Sequence, residues 1–367
     1  MIHVPRLNAG QRRGFTLIEV VVAMAVFAIF MIGILNLLDT STNISEIEKA
    51  LSDTQENVRF AAYHIMRTTR MTGGAGMKFA DSESGPGHWI AGELLSNQSG
   101  NVTTPYPLGS IDVLDGTDVL TVRGFFETPP LFVTATAVNT SLGRIEVLES
   151  AEGRLINPGI DALEVTQLAG RGLVFMGELD RRQYAVGQVG ESSTLVDEAP
   201  NRTLNLIISD SPSTWWTGLN ETGGATAPPT EVFQVGILDS YTYFVDPEFR
   251  LMRLRADGSA QGASLQPVAV NIGGLQVALG VDTDSDGQVD VWQTAPTAAG
   301  ISPNRVVSMR ITVLGRTPIE LPGWEEPAAT FAVAEDTQSV DAAGRRAKWR
   351  RVEVVSTLRN YMFSGGG

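Results

Sequence analysis

The stretch "GFTLIEVVVAMAVFAIFMIGILNLL", residues 14–38, is typical of a membrane-spanning helix. Val20 to Leu38 contains one amide residue, Asn36, and no charged residue. At 1.5 Å per residue it is roughly 28 Å long, close to the ~30 Å hydrocarbon core of a bilayer. One carboxylate, Glu19, stands at the start of the run. It needs an explanation, because an ionised side chain within a membrane helix costs about 2.5–3.5 kcal/mol.

The flanks of this run predict its orientation and its continuation. Three arginines and no acid precede it, which keeps the N-terminal end cytoplasmic and sends the rest across the membrane. No small-residue cleavage site of a secretory signal follows. Proline is absent from Gly14 to Gly85, and Gly73-Gly74 provides a stop signal. The sequence therefore predicts one helix of about 55 residues, roughly 80 Å long.

The second half of this helix has an apolar stripe that suits a globular domain. Its apolar residues recur at spacings of three, four and seven, on one helical face. These residues are Ile44, Ile47, Leu51, Val58 and Ile65.

Beyond about residue 111 the sequence changes to short β-type runs separated by turn signals. The run "DSYTYFVDPEFRLMRLRADGS" predicts a hairpin with Asp246-Pro247 at its turn. Segments 191–202 and 211–230 are expected to be polar surface loops. A half-buried strand is predicted where apolar residues alternate with Arg310 and Thr312, namely at Met309, Ile311 and Val313.

Composition argues against several classes of function. The chain has 367 residues, 27 of them basic and 41 acidic, with a formal charge of −14 and no cysteine. Nucleic-acid binding requires clustered lysine and arginine, which this acidic chain lacks. Its three histidines are isolated, and we find no GxSxG, HExxH or phosphate-binding glycine loop. We therefore expect neither an enzyme nor a binder of small-molecule substrates.

The segment "RRGFTLIEVVVAMAVF" resembles the class III signal of type IV prepilins and the related pseudopilins, with basic residues, glycine, phenylalanine and a glutamate five residues into the mature chain. The resemblance implies cleavage after Gly14 by a prepilin peptidase and N-methylation of the new terminus at Phe15. It further implies that Glu19 pairs with the N-terminal amine of a neighbouring subunit during assembly, which offsets its desolvation. The alternative is an uncleaved membrane anchor with a chance glutamate.

A second resemblance rests on segments from residue 116 onward, most of them in the last third of the chain, while 125–230 carries no matching motif. The segments "GTDVLTVRG", "YTYFVDPEFRLMRLRADGSAQ", "LQVALGVDTDSDGQVDVWQ", "RVVSMRITVLGRT" and "RRVEVVSTLRN", in this order, resemble PilW-type minor pilins. The fold implied is α+β and pilin-like, a long N-terminal helix with a transmembrane first half, packed on an antiparallel β-rich domain. The implied divisions are a cleaved leader (1–14), the helix (15–72) and a periplasmic domain (73–367).

The function implied is that of a minor type IV pilin that helps prime pilus assembly, anchored in the inner membrane and incorporated at the pilus, at its tip. Its partners would be the prepilin peptidase, other minor pilins and the major pilin. Two alternatives stay open. The J-class minor pseudopilin of type II secretion shares the same architecture, and a tip adhesin would use Trp215-Trp216 as a contact patch, although core packing also explains that pair.

The segment "DTDSDGQVD", 282–290, has acids at relative positions 1, 3, 5 and 9 and glycine at position 6. This spacing is typical of loops that wrap oxygen ligands around Ca²⁺. Position 12 is Gln293 rather than the bidentate glutamate of an EF-hand, so a weak site is expected. A solvated acidic turn is the alternative. The predicted ligands are Asp282, Asp284, Asp286 and Asp290 through carboxylates, and Gln288 through its backbone carbonyl.

Overall fold

The structure is a computed structural model that describes residues 16–72, 92–103, 110–126, 234–256, 264–284, 286–294, 306–320, 324–326, 330–333, 336–339 and 344–358. Between residues 131 and 219 it describes the backbone of individual strands. The chain divides into two compact units, Met1–Ser52 and Asp53–Gly367. The predicted boundaries at 14/15 and 72/73 stay predictions.

One long helix, α1 (Leu17–Thr69), contains 53 residues and belongs to both units. It agrees with the predicted helix to within a few residues at each end. Its last turns close with hydrogen bonds from the Arg70 and Met71 amides to the Met66 and Thr68 carbonyls, at 3.1 and 3.0 Å. The chain then passes directly into an antiparallel bridge between Thr72 and Gly124.

The rest of the described chain is β-structure. The strands are β1 (Gly92–Thr103), β2 (Ser110–Gly124), β3 (Leu131–Phe132), β4 (Ala135–Asn139), β5 (Arg144–Leu148), β6 (Gly172–Met176), β7 (Tyr184–Gln188), β8 (Thr194–Glu198), β9 (Asn201–Ile207), β10 (Thr217–Leu219), β11 (Gln234–Val245), β12 (Arg250–Ala256), β13 (Ser264–Val270), β14 (Ile272–Val281), β15 (Val291–Gln293), β16 (Val306–Arg316), β17 (Thr330–Val333), β18 (Asp336–Ser339) and β19 (Trp349–Thr357).

These strands form two main sheets. The first has the order β1-β2-β11-β6-β7-β10, with β12 and β3 also paired to β11, and β13 paired to β12. The second has the order β15-β14-β16-β19. Two further sheets are four-stranded, β4-β5-β9-β8, and two-stranded, β17-β18. Neighbouring strands in both main sheets run antiparallel, as the sequence predicted.

The core of the C-terminal unit lies between α1 and the two main sheets. The helix contributes fully buried Val58 and Ile65, with Ala61 and Ala62 between them. The sheets contribute Leu120, Val122, Tyr241, Tyr243, Leu251, Leu275, Val277, Leu279, Met309, Ile311 and Val313. The predicted fold class, a long N-terminal helix packed on antiparallel sheets, is thereby confirmed.

The apolar stripe predicted along the second half of α1 is only partly buried. Val58 and Ile65 are in the core, but Ile44 is 52 % exposed, and Ile47 and Leu51 are half-buried. The core face instead includes two alanines, because a helix lying close to a sheet needs small side chains at the contact. Gly315 of β16 shows how close this contact is, since a Cβ there would lie 2.1 Å from Val58 Cγ2.

Two local predictions about the β-region have opposite outcomes. The hairpin is confirmed, since β11 and β12 pair antiparallel and the Phe249 amide donates to the Asp246 carbonyl at 3.0 Å. The segments predicted as polar loops are not wholly loops, because 191–202 holds β8 and the start of β9, and 211–230 holds β10. Strands β8 and β9 pair antiparallel as a local hairpin, which their polar sequence did not indicate.

The predicted half-buried strand is β16, but it is more buried than its alternation suggests. Thr312 is fully buried, and Arg310 is half-buried. The reason is that β16 lies between β14 and β19 in the second sheet, so neither of its edges is open.

Candidate functional site

The start of α1 holds Glu19 in a reciprocal cap with Thr16. The Thr16 amide and hydroxyl both donate to Glu19 Oε2 at 2.9 Å. The Glu19 amide in turn lies 3.4 Å from the Thr16 hydroxyl oxygen. This is a capping box, in which residues three apart satisfy amide groups that the first helical turn leaves without partners. Thr16 is a helix-capping residue that the sequence analysis did not identify, although the spacing Thr-x-x-Glu is a recognisable signal.

The predicted processing residues, Gly14 and Phe15, lie outside the described residues, and so do Trp215 and Trp216. Whether Glu19 pairs with an amine at Phe15 therefore stays a prediction. The described geometry shows that the Glu19 carboxylate is exposed and anchored from one side by Thr16.

Following Glu19, the first half of α1 presents apolar side chains on every side. Its large apolar residues from Leu17 to Leu38 are exposed, with Leu17 at 85 % and Ile29 at 71 %. By length and composition α1 is able to cross a membrane, and its most apolar window is 0 % buried. A helix that is apolar all round requires lipid or other apolar helices as its surroundings.

The acid-rich loop between β14 and β15 brings together three of its predicted ligands. Carboxylate oxygens of Asp282, Asp284 and Asp290 lie within 4.8 Å of one another. Asp286 is engaged differently, because its Oδ1 accepts from the Gln288 amide at 2.7 Å and its Oδ2 from the Gln288 side chain at 3.1 Å. The structure thus groups three of the five predicted residues and pairs the other two with each other.

The turn within this loop depends on Gly287, which has a φ of 85°. Glycine adopts this left-handed conformation at little energetic cost. The glycine at position 6 of the sequence pattern predicted a sharp turn at this residue. The Gly287 amide donates to Asp282 Oδ2 at 2.7 Å. The hairpin closes where the Asp290 amide donates to the Val281 carbonyl at 2.9 Å.

The charges of the loop repel one another. Hydrogen bonds from the Thr283 hydroxyl and amide lower the pKa of Asp290. For Asp284, the hydrogen bond from the Asp286 amide lowers the pKa, but desolvation and repulsion from Asp286, Asp290 and Asp282 outweigh it and raise the pKa overall. A cation at this cluster would relieve that repulsion, and clustered carboxylate oxygens are ligands that Ca²⁺ prefers.

The stem of the loop is fixed on the second sheet by Trp292 of β15. The Arg310 guanidinium lies over its ring, 4.1 Å from the ring centre. Gly280 makes room for the ring, since a Cβ there would lie 3.0 Å from Trp292 Cζ3. The acid-rich loop is therefore carried by a packed hairpin.

Hydrogen bonds also join α1 to the first sheet inside the C-terminal unit. The Tyr243 hydroxyl lies 2.9 Å from the Thr68 hydroxyl and 3.3 Å from His64 Nδ1. Burial raises the pKa of Tyr243 to about 12, against the opposing effects of its hydrogen bonds and Arg253. Burial, with Arg253 and Arg67 nearby, lowers the pKa of His64. The neutral forms of both side chains are therefore favoured.

The two main sheets are joined by Asp118 of β2, a buried carboxylate. Its Oδ1 accepts from the Asn97 amide at 2.8 Å, and its Oδ2 accepts from the Val277 amide of β14 at 2.7 Å. The Gln276 side chain adds a bond to the Gly116 carbonyl at 2.6 Å. This cluster fixes the β1–β2 hairpin against the second sheet.

Comparisons with known proteins agree with the resemblance seen in the sequence. Residues 239–360, which hold most of β11 and everything through β19, match the family described as type IV pilus-assembly protein W. Residues 10–35 match the prokaryotic N-terminal methylation motif. Both describe structural pilus proteins and their processing, and neither is an enzyme family.

Searches of whole proteins add little to these matches. No curated protein matches the chain. Among solved structures it is similar to a type IV-like pilin from Thermus thermophilus at 15 % identity and a TM-score of 0.24, covering 54 % of this chain and 90 % of that one.

Proposed function

We propose that this chain, with its PilW-type region at 239–360 and its methylation motif at 10–35, is a minor pilin that primes pilus assembly. A prepilin peptidase would cleave after Gly14, and Phe15 would be methylated. The subunit would then stand in the inner membrane, its C-terminal unit in the periplasm, and would join other minor pilins and the major pilin at the pilus tip. The observation that carries the proposal is the division of α1, apolar and exposed in its first half and packed on β-sheets in its second.

The role proposed for Glu19 follows from its cap. In the single subunit, Thr16 supplies two hydrogen bonds to one carboxylate oxygen, Oε2. A carboxylate has acceptor capacity beyond that, so Oε1 can receive the amine of a neighbouring subunit while the cap stays in place. A buried carboxylate that has lost its cationic partner is strongly unfavourable, so pairing selects the axial position of the incoming helix.

The experiment compares filament assembly with three alleles of the gene, in a strain where the chromosomal copy is deleted. Surface filaments are counted by electron microscopy after complementation with wild type, Glu19→Ala or Thr16→Ala. Glu19→Ala removes both the charge and the cap, whereas Thr16→Ala removes the hydroxyl but keeps the charge. We expect normal cleavage for both variants, near-normal filaments with Thr16→Ala and few filaments with Glu19→Ala.

Other outcomes of this experiment have definite meanings. Equal loss in both variants would show that Glu19 acts as a helix cap and not as a pairing charge. Normal filaments in the uncomplemented deletion strain would refute the priming role. The secretion-pseudopilin alternative would then be tested by comparing the proteins that the deletion strain and its parent release into the medium.

We also propose that the acid-rich loop binds Ca²⁺ weakly, through Asp282, Asp284 and Asp290, with Asp286 and Gln288 turning inward on binding. The support is the 4.8 Å grouping of three carboxylates together with their mutual repulsion. Affinity is expected in the range of extracellular modules, with a dissociation constant on the order of 10⁻⁴–10⁻³ M.

Calorimetry on the detergent-solubilised full chain tests this site. Calcium should release or absorb heat with wild type and with the control Asp112→Asn, which neutralises an exposed acid of β2. The heat should vanish with Asp282→Asn combined with Asp290→Asn. Absence of heat from the wild-type protein at millimolar calcium would leave the loop as a solvated acidic turn.

A further inference from the structure

One end of the C-terminal unit is the place where α1 enters it. There the Thr54 hydroxyl donates to the Arg316 carbonyl at 3.4 Å. Arg316 is the last residue of β16, and its partner Trp349 is the first residue of β19. The other end of β19 lies beside the last turn of α1, because the Thr69 hydroxyl donates to the Ser356 hydroxyl at 2.9 Å. We call the end of the unit at Thr54 the proximal end, since the preceding part of α1 leaves the unit there.

The proximal end carries a local excess of cations in an acidic chain. Residues 344–351, "GRRAKWRR", hold five of the 27 basic residues and no acid. The segments beside them, 317–320 and 324–326, contribute three glutamates, which leaves an excess of two positive charges. Two of the arginines form ion pairs with exposed acids, Arg345 with Glu325 at 3.3 Å and Arg346 with Glu320 at 3.4 Å. Such surface pairs are weak, so both guanidinium groups can take another anionic partner.

Two apolar side chains are exposed among these cations. Trp324 is 36 % exposed and Ile319 is 42 % exposed. The Lys348 ammonium lies 4.5 Å from the centre of the Trp324 ring. Cations beside exposed tryptophan and aliphatic side chains are typical of protein surfaces that rest in the interfacial layer of a bilayer. We call Ile319, Trp324, Arg345, Arg346 and Lys348 the proximal ledge.

Backbone hydrogen bonds fix the proximal ledge on the second sheet. The Thr317 amide donates to the Lys348 carbonyl at 2.9 Å, and the Lys348 amide donates to the Thr317 hydroxyl at 3.1 Å. The Glu326 amide donates to the Arg345 carbonyl at 2.6 Å. Trp349, which follows directly, is buried. The side chains of the ledge are therefore presented by a packed backbone.

In a subunit anchored by the first half of α1, few residues separate the bilayer from the proximal end. Thr54 follows Leu38, the last residue of the apolar run, by sixteen residues on the same helix, which is at most about 24 Å. The interfacial layer of a bilayer takes up about 5–7 Å of that distance, and transmembrane helices tilt by up to about 40°. Because the ledge continues from the strand ends beside Thr54, its side chains come within reach of lipid headgroups.

We infer that the proximal ledge binds anionic phospholipid headgroups of the membrane in which α1 is anchored. Arg345 and Arg346 bind lipid phosphates, and Trp324 and Ile319 lie among the headgroups. The contact holds the C-terminal unit of the unassembled subunit against the bilayer and is lost when the subunit leaves the membrane for a filament. This inference rests on the proposed function only in taking α1 as a membrane anchor.

The chain has no cysteine, which allows a site-specific fluorescence test. Full-length Ile319→Cys is labelled with a nitrobenzoxadiazole fluorophore and placed, one chain each, in phosphatidylcholine nanodiscs with or without phosphatidylglycerol, all containing a headgroup-attached quencher. Val291→Cys is the matched control, because Val291 is also 42 % exposed but lies on β15, at the other end of the second sheet. In discs with phosphatidylglycerol the label at 319 should be quenched and the label at 291 should not. Without phosphatidylglycerol both should emit equally.

Charge reversal tests the part played by the arginines. Arg345→Glu with Arg346→Glu should lower the ratio of bound to free ledges, measured from the quenched fraction, about twentyfold, at about fivefold for each cation lost. Arg67→Glu with Arg70→Glu is the matched control, because it changes the net charge equally at exposed positions at the other end of α1. It should leave the quenching unchanged. If urea unfolding shows that the first double variant is not folded, Arg346→Glu alone, at a side chain 68 % exposed, should give a loss of about fivefold.

Several outcomes would overturn the inference. These are equal quenching at 319 and 291, quenching at 319 that does not depend on phosphatidylglycerol, and equal loss in the two double variants. A label at 319 that is unquenched in the discs but shielded from aqueous iodide in native membranes would show that the ledge binds an acidic protein instead of lipid. The filament count of the deletion strain tests the priming role separately, so failure of the lipid contact and failure of the proposed function are distinguishable.

Discussion

Replacing Gly315 by alanine should destabilise the C-terminal unit, although alanine is normally the better residue in a strand. Gly315 lies in β16 directly under α1, and a Cβ there would stand 2.1 Å from Val58 Cγ2 and 3.1 Å from Thr54 Cγ2. Val58 is fully buried and β-branched, so it has no alternative rotamer that moves the methyl group away. The added methyl group must therefore push α1 off the sheet or distort β16.

The expected magnitude is the difference of two opposing effects. Removing glycine from a strand is worth about 0.5–1 kcal/mol in favour of alanine. Overpacking a close-packed core costs about 1–3 kcal/mol, so a net loss of about 1–2 kcal/mol is expected. Val58→Ala alone removes two buried methyl groups and should cost about 2 kcal/mol, by transfer and cavity formation.

A double-mutant cycle separates this contact from general damage to the fold. The full chain in detergent is unfolded with urea and followed by tryptophan fluorescence for wild type, the two single variants and the double variant. Because Val58→Ala removes the methyl group that Gly315→Ala meets, the double variant should be about 1 kcal/mol or more better than the sum of the single losses. Additivity within about 0.3–0.5 kcal/mol would refute the contact.

Two further predictions concern buried polar groups. Because burial lowers the pKa of His64, the unfolded chain binds more protons than the folded chain below about pH 6.5. The free energy of unfolding should therefore fall as the pH drops from there toward the folded pKa. His64→Gln should flatten this pH dependence in urea titrations, and an unchanged profile would contradict the prediction. Asp118→Asn replaces one of the two carboxylate oxygens that accept from backbone amides with an NH₂ group, which would face an amide donor. The free energy of unfolding should fall by about 1–3 kcal/mol in the same assay. A loss below about 0.5 kcal/mol would show that other contacts join the two sheets.

Local patterns in the sequence were enough to predict the elements of the fold. An uninterrupted helical pattern ending at Gly73-Gly74 predicted α1, and strand runs on each side of Asp246-Pro247 predicted the β11–β12 hairpin. The order of strands was not predictable in this way. Strand β2 pairs with β11 across more than a hundred residues, and no local signal specifies a partner at that distance.

In the acid-rich loop, too, the sequence predicted some features and not others. The spacing of acids predicted the grouping of Asp282, Asp284 and Asp290, but the pairing of Asp286 with Gln288 depends on side-chain rotamers that spacing does not determine. The spacing Thr-x-x-Glu is enough to predict the Thr16 cap, because a capping box needs only residues three apart at the start of a helix.

The buried face of α1 was predictable only in part, because its alanines and threonines do not stand out as an apolar stripe in the sequence. Hydrogen bonds at the end of the helix also attach this face to the sheets. Apolar contacts such as those of Val58 and Ile65 are non-directional and hold α1 through close packing, whereas hydrogen bonds add directional contacts. The Thr68 hydroxyl meets that of Tyr243 at 2.9 Å, and the Thr69 hydroxyl meets that of Ser356 at 2.9 Å.

These two contacts reach different sheets, since Tyr243 is in β11 and Ser356 is in β19. Each hydroxyl also has a second partner, since Thr68 and Thr69 donate to the His64 and Met66 carbonyls at 3.2 and 2.9 Å and the Tyr243 hydroxyl lies 3.3 Å from His64 Nδ1. Loss of either contact should therefore cost about 0.5–1.5 kcal/mol, the net value of one hydrogen bond. Together with the buried core residues of α1, they attach the last turns of the helix to both main sheets within the C-terminal unit.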